Sequence, residues 1–493
     1  MFSTVSQPCG RPVVYSASTQ GLVLALVLFA ACAGIQAQTV NLHIDVVSTE
    51  PGRIRINAEF PESTYAISFP NAYGSALGLA DRVEKLEARG SHGESIPVRK
   101  LASGEFSTST NFSQISYEVR LSEPLPPAQG SHVSWLNRER GLLLLSDLLP
   151  RALKNSGTFS SAQIQLALPA GWTAASNSES RDAMTFFSDE PEKTVFLIGP
   201  QLNMKTQRVG AKDISVVLSG DWPIADKDAL KIATQIVQEY SKMTGFELKR
   251  NAVVMLAPFP GEVGPERWTA ESRGNAVVLL LGRKGSGKQV KSRLGIVLAH
   301  EVFHLWVPNS LKLAGDYDWF FEGFTIYQAL RMDLRLHLIS FKDYLDTIAR
   351  VYDSYLSSPD RDNLSLIQAS ERRWTTLSSL VYDKAMLVAF LYDLHLRRRS
   401  VCKASFDDLY RQLFQRVAAR QSGANETIID ILNEQLGQET FAHEYVEGVG
   451  IIDLDSALSP YGISVRRTSS GTKLSADHAN KAEKKILDCL AGK

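Results

Sequence analysis

Cysteine is scarce in this chain, with four residues in 493, and two of those, Cys9 and Cys32, lie close to the N-terminus. That excludes a disulfide-dense scaffold and a thiolate-rich zinc module. Charge of one sign is also lacking: 53 Lys and Arg face 53 Asp and Glu. No global field therefore draws the protein to nucleic acid or to anionic lipid. The longest apolar run of the N-terminal region, Leu22 to Ala31, falls short of the roughly 20 residues of a comfortable membrane span. No internal repeat or long low-complexity tract is present, which excludes a solenoid and a disordered linker protein. What is present is a chain with 44% hydrophobic residues, ample for two or three well-buried cores.

Residues 1–37 have the character of a targeting segment. Arg11 lies in a polar lead, the apolar run follows, and Ile35-Gln36-Ala37 ahead of Gln38 offers a cleavage point. Export to the periplasm or the medium is the expectation, with a removed signal peptide. An uncleaved anchor and lipidation of Cys32 in Phe29-Ala30-Ala31-Cys32 remain as alternatives, and membrane association is expected only in those two cases. Cleavage leaves Cys402 and Cys489, which form either one disulfide or two buried thiols.

From residue 38 to about 220 the pattern is short alternating segments, such as Val40 to Val47 and Ile115 to Leu121, broken by Pro, Gly, Ser and Asn. This predicts an N-terminal β-domain, sandwich-like in class. After Asp221-Trp222-Pro223 the period changes, and Asp226 to Met243 reads as a capped amphipathic helix. Strands are predicted at Asn251 to Ala257 and Asn275 to Leu281. Helices are predicted near 289–307, 319–338, 340–356, 378–399, 405–419 and 426–436. The whole is an α+β multidomain chain, with a mainly helical domain over 221–440 and a short C-terminal segment over 441–493.

Within the helix at 289–307 stands His300-Glu301-Val302-Phe303-His304, and 18 positions after His304 comes Glu322 in Trp319-Phe320-Phe321-Glu322-Gly323. Two histidines at i and i+4 share one helical face, and a carboxylate from a second helix completes three protein ligands. One position of a zinc tetrahedron then stays open for water, with Glu301 beside it as the general base. The competing reading makes His300 and His304 core histidines, with Glu301 paired to an arginine. Tyr382, at the entrance of an apolar helical run, is either an oxyanion donor or a packed aromatic. His337, His395 and His443 read as surface or packing residues. Gly282 to Gln289 comes close to a phosphate-binding loop, but Gln289 stands where a Ser or Thr would hold magnesium, so nucleotide binding is not expected.

Taken together, His300-Glu-Val-Phe-His304-Leu-Trp306, Trp319-Phe-Phe-Glu322-Gly-Phe-Thr325-Ile-Tyr327 and Tyr382-Asp-Lys384 resemble the gluzincin metallopeptidases, and within them the glycyl aminopeptidase family. The resemblance covers about residues 221–455. It implies a thermolysin-like catalytic domain after a β-sandwich, one zinc per chain held by His300, His304 and Glu322, water activated by Glu301, and Tyr382 at the oxyanion. It also implies peptide or protein substrates cleaved near a free amino terminus. Two departures stand out. The family's Gly-Gly-Leu-Glu-His strand corresponds here to Arg273-Gly274-Asn275-Ala276-Val277, which has no carboxylate to meet an α-amino group, and the PDZ domain frequent in the family is not expected in 441–493. Ala385 also replaces the glycine usual after Tyr-x-Lys. The alternatives to a peptidase are a noncatalytic zinc-containing peptide-binding protein and a zinc hydrolase of a non-peptide substrate.

Overall fold

The computed structural model describes residues 39–153, 158–264, 266–373, 379–417 and 422–492. The expected targeting segment, 1–37, lies outside the described residues. No helix among the described residues is long and apolar enough to cross a membrane.

The N-terminal part is built on a ten-stranded sheet in which Thr39–Thr49 pairs with Gly52–Ser68, and Gly52–Ser68 with Glu105–Arg120. Strand alternation sorts its faces: Val40, Leu42 and Ile44 are buried, while Asn41, His43 and Asp45 are not. A four-stranded sheet containing Gly141–Leu144 and Val195–Gly199 packs on it. This second sheet is buried on both faces, which is why Gly141-Leu-Leu-Leu144 and Val195-Phe-Leu-Ile-Gly199 do not alternate. Leu143, Phe196 and Ile198 join the core of the large sheet, while Leu142, Leu144 and Leu197 join the core of the next layer.

That next layer is a five-stranded mixed sheet. Its strands are β1 (Leu202–Val209), β2 (Lys212–Ser219), β3 (Ala252–Pro258), β4 (Trp268–Arg273) and β5 (Ala276–Leu281), in the order β1-β2-β3-β5-β4. Residues 202–219, expected to belong to the β-domain ending near 220, therefore belong to this sheet: Lys212–Ser219 runs parallel to Ala252–Pro258. Leu202–Val209 is exposed along most of its length and the pairing of Lys212–Ser219 is long-range, so the sequence pattern alone could not assign them. Strands β3 and β5 are apolar throughout because Val253, Met255, Val278 and Leu280 face the small sheet, while Val254, Leu256, Val277 and Leu279 face helices. Those helices are α1 (Asp226–Thr244) and α2 (Gly287–Phe303).

Beyond them lie α3 (Thr325–Arg335), α4 (Phe341–Ser357), α5 (Ala385–Ser400), α6 (Phe406–Val417) and α7 (Ala424–Leu436). The glycine-rich loop before α2 has a plain structural use: Ser286 accepts from the Gln289 amide, and the Gln289 side chain accepts from the Ser286 amide, a capping box that starts the helix. At the far end, the hairpin Ser464–Thr468 with Gly471–Ser475 and helix α8 (Lys481–Leu490) pack back on the helices. Cys402 and Cys489 are joined there as a disulfide.

Candidate active site

Helix α2 carries His300 and Glu301 in its last turn, and His304 is its C-cap residue. Glu322 lies in a π-helical turn, Trp319–Phe324, that runs into α3. Packing of α3 on α2 brings the Glu322 carboxylate to the two imidazoles: His300 Nε2 is 3.1 Å from His304 Nε2, and Glu322 Oε2 is 3.3 Å and 3.7 Å from them. A zinc ion with bonds near 2.0 to 2.1 Å has ligand-to-ligand edges of about 3.3 Å, so these three donors already stand at tetrahedral spacing. The His304 Nδ1–H donates to the Val307 carbonyl at 2.9 Å, which leaves Nε2 with its lone pair free. Burial and then the neighbouring His300 push the His304 ring down to about 4, so it is neutral near pH 7. Burial opposes ionisation of Glu322, but the His300 hydrogen bond and the surrounding cations hold it down to about 2. A neutral nitrogen donor beside a carboxylate fits a divalent cation of zinc type.

Glu301 is 6% exposed and its pKa is pushed up to about 7, chiefly by burial. Ser272 Oγ lies 2.6 Å from the Glu301 carbonyl oxygen and 3.0 Å from its Oε2, so one hydroxyl holds this residue to the neighbouring strand β4. Tyr382 lies in a second π-helical turn, Leu380–Lys384, just before α5. The two π-helical turns close on each other at Gly323: a Cβ there would sit 2.3 Å from Ala385 Cβ and 2.6 Å from the Val381 carbonyl oxygen. Gly323 thus makes room for the Ala385 methyl, which answers the substitution noted in the sequence. Tyr382, Glu322, Glu301 and both histidines line one cavity of about 1090 Å³.

The expectation that no carboxylate would stand ready on the strand before the metal helix is corrected by the structure. Gly274, with φ of 58°, and Asn275 form the turn of a hairpin, and the edge strand is Trp268–Arg273, carrying Glu271 into the cavity. Glu271 is held by residues of the N-terminal part, the Tyr73 hydroxyl and His132 Nδ1, and by Arg273 Nη2 at 3.1 Å. Burial opposes its ionisation, but the His132 hydrogen bond and the Arg273 charge outweigh burial and lower its pKa. Arg273 itself lies over the Tyr73 ring at 4.4 Å. A Gly-Asn pair between two apolar-flanked runs is a hairpin signal, so the edge strand had a local cue. Arg373 is a second unforeseen member: its Nη2 lies 2.7 Å from Glu322 Oε1 and 3.1 Å from Tyr382 Oη. Of the histidines read as packing or surface residues, His395 lies against the rings of Phe441 and Tyr461, and His443 has an exposed side chain.

Residues 294–388, from the metal helix through Tyr382, match the family model of the M61 glycyl aminopeptidases. The chain carries a gluzincin peptidase core. The architecture around that core agrees. An aminopeptidase N family protein from Idiomarina loihiensis superposes with a TM-score of 0.75 at 18% identity, over 87% of this chain and 79% of that one. An M1 zinc metallopeptidase from Deinococcus radiodurans superposes with a TM-score of 0.50 at 15% identity, over 85% of this chain and 95% of that one. A mutant of the Deinococcus enzyme bound to a Tyr-Ser-Ala substrate gives 0.51 at 14% identity. No curated protein matches the sequence. The gluzincin core thus follows a β-rich N-terminal part, as in those structures, and this protein is a peptidase.

Proposed function

We propose that this peptidase is an exported zinc aminopeptidase, with one zinc per chain held by His300, His304 and Glu322. The observation that carries the aminopeptidase reading is Glu271, a partly buried carboxylate in the same cavity as the three donors and Glu301. Bringing an α-ammonium group out of water is costly without a counter-charge, and Glu271 supplies one beside the reacting centre. The outer edge of β4 pairs with no other strand among the described residues, and Trp268, Ala270 and Ser272 line the cavity. An extended peptide can therefore add to that edge, its backbone hydrogen-bonded and its amino end directed toward Glu271.

Zinc held by the triad supplies Lewis acidity and lowers the pKa of water toward neutrality. Glu301 takes the proton of the attacking water and later delivers it to the leaving amine, a task suited to a carboxylate whose burial has raised its pKa. Ser272 keeps Glu301 oriented through both exchanges. The Tyr382 hydroxyl donates to the oxyanion of the tetrahedral intermediate. Export is supported by the Cys402–Cys489 disulfide, which suits an oxidising compartment.

The test is metal content together with hydrolysis of matched free and N-acylated peptides by wild type, Glu301→Gln and Glu271→Gln. One zinc per chain, loss of hydrolysis but not of zinc in Glu301→Gln, and a preference for free amino termini that Glu271→Gln abolishes are the expected results. Equal cleavage of blocked and free peptides by wild type would refute the aminopeptidase mode. The exported protein should begin at Gln38 on N-terminal sequencing.

A further inference from the structure

The geometry points to Arg373 as a positioning residue: we propose that it fixes which oxygen Glu322 turns to the metal and leaves the Tyr382 hydroxyl proton free for the substrate oxyanion. This inference rests on the zinc peptidase reading above. Arg373 follows the short helix Leu366–Glu371, remote in sequence from the metal helix, and its side chain is 19% exposed. Its Nη1 is held by the Asp318 carboxylate, and its guanidinium lies 5.5 Å from the Phe321 ring centre. Anchored in this way, one nitrogen, Nη2, reaches two groups of the site at once: Glu322 Oε1 at 2.7 Å and Tyr382 Oη at 3.1 Å.

An arginine has donors and no acceptor, so the proton in both contacts comes from Arg373. At Glu322 the consequence is a division of labour between oxygens. Oε1 is engaged by Arg373, while Oε2 faces His300 Nε2 and His304 Nε2. The carboxylate is thereby presented through one oxygen, which keeps the ligand set at three donors and preserves the open position. At Tyr382 the arginine occupies a lone pair of Oη and leaves the phenol's own proton unspent. Because Glu322 Oε1 and Tyr382 Oη touch the same nitrogen, they are neighbours. Without the arginine, the ionised carboxylate would be the nearest strong acceptor for the phenol proton, turning the hydroxyl from the substrate. Arg373 also sets a fixed positive charge beside the place where negative charge develops.

The test is a double-mutant cycle of Arg373→Met and Tyr382→Phe, with zinc affinity measured by chelator competition and kcat and KM measured on the same preparations. Arg373→Met is expected to weaken zinc binding about tenfold or more, the usual effect of removing a partner of a metal ligand. It should lower kcat by about tenfold with little change in KM, and it should lower kcat far less when Tyr382 is already Phe. Arg373→Lys, which keeps the charge but not the planar fork, is expected to recover zinc affinity better than kcat, and it carries the same cycle should the Met variant fail to fold. Equal losses of kcat in both Tyr382 backgrounds would overturn the action through Tyr382. Unchanged zinc affinity would overturn the action through Glu322. A wild-type protein that binds zinc but cleaves no peptide would defeat the peptidase reading, while the chelator competition would still decide the Arg373–Glu322 link.

Discussion

Asp333 should make this protein less stable as pH rises, and replacing it should remove that dependence. The residue sits in α3 with no solvent exposure, and neither carboxylate oxygen has a hydrogen-bond partner among the described residues. It is packed so tightly against α2 that a Cβ on Gly295 would lie 2.5 Å from its Oδ1. Burial alone raises its pKa well above the ordinary value for an aspartate. An unfolded aspartate titrates near 3.9, so between that pH and its folded pKa the native chain holds a proton that the unfolded chain has released. Unfolding then releases a proton, so stability falls with rising pH across that interval, by at most about 1.4 kcal/mol per unit. Asp333→Asn, isosteric with the protonated acid, is indifferent to pH. Urea unfolding of both proteins at pH 5, 6 and 7 should show the variant gaining on wild type as pH rises, by up to about 1.4 kcal/mol per unit while Asp333 stays protonated in the folded chain. A constant difference between them across that range would refute a protonated Asp333.

Three further outcomes are expected. Tyr382→Phe should lower kcat by roughly a hundredfold with KM little changed, the scale of one lost oxyanion donor; an unaltered kcat would remove Tyr382 from the reaction. Burial pushes the Glu301 carboxyl up to about 7, and a general base must be ionised, so kcat/KM should fall as pH drops through its pKa. A bound cation lowers that value, which places the acid limb at or below pH 7; a limb above pH 8 in a pH–rate profile would contradict the assignment. The Cys402–Cys489 bond closes a separation of 87 residues, and Cys402→Ser should cost about 4 to 5 kcal/mol in urea unfolding under non-reducing conditions; an unchanged midpoint would show that the bond does not form.

The cluster of His300, His304 and Glu322 was legible in the sequence because its geometry is local: an i, i+4 pair on one helix and a carboxylate at the start of the next. The helices were legible for the same reason, their apolar spacing being written within single segments. Glu271 was partly legible. The Gly274-Asn275 turn marks a hairpin, but the partners that hold Glu271, Tyr73 and His132, come from a part of the chain more than 130 residues earlier. Arg373 had no signal at all, since an arginine after a short helix reads as surface until folding sets it against Glu322. The junction between the two parts was blurred for a related reason. Residues 202–219 read as short strands like those before them, and only the parallel pairing of Lys212–Ser219 with Ala252–Pro258 assigns them to the later sheet.

The open edge of β4 has a consequence of another kind. An unpaired strand edge normally recruits other strands and seeds aggregation, and proteins blunt such edges with charge or cover. Here the edge borders a cavity, with the Tyr73-Gly74-Ser75 turn of the N-terminal part on one side and Phe321 and Arg373 on another. In the strand-addition mode proposed above, that edge is taken by a single extended chain. A site used in that way would sort what it admits by folding state: to be cleaved, a chain would have to be short or unfolded enough to become a strand.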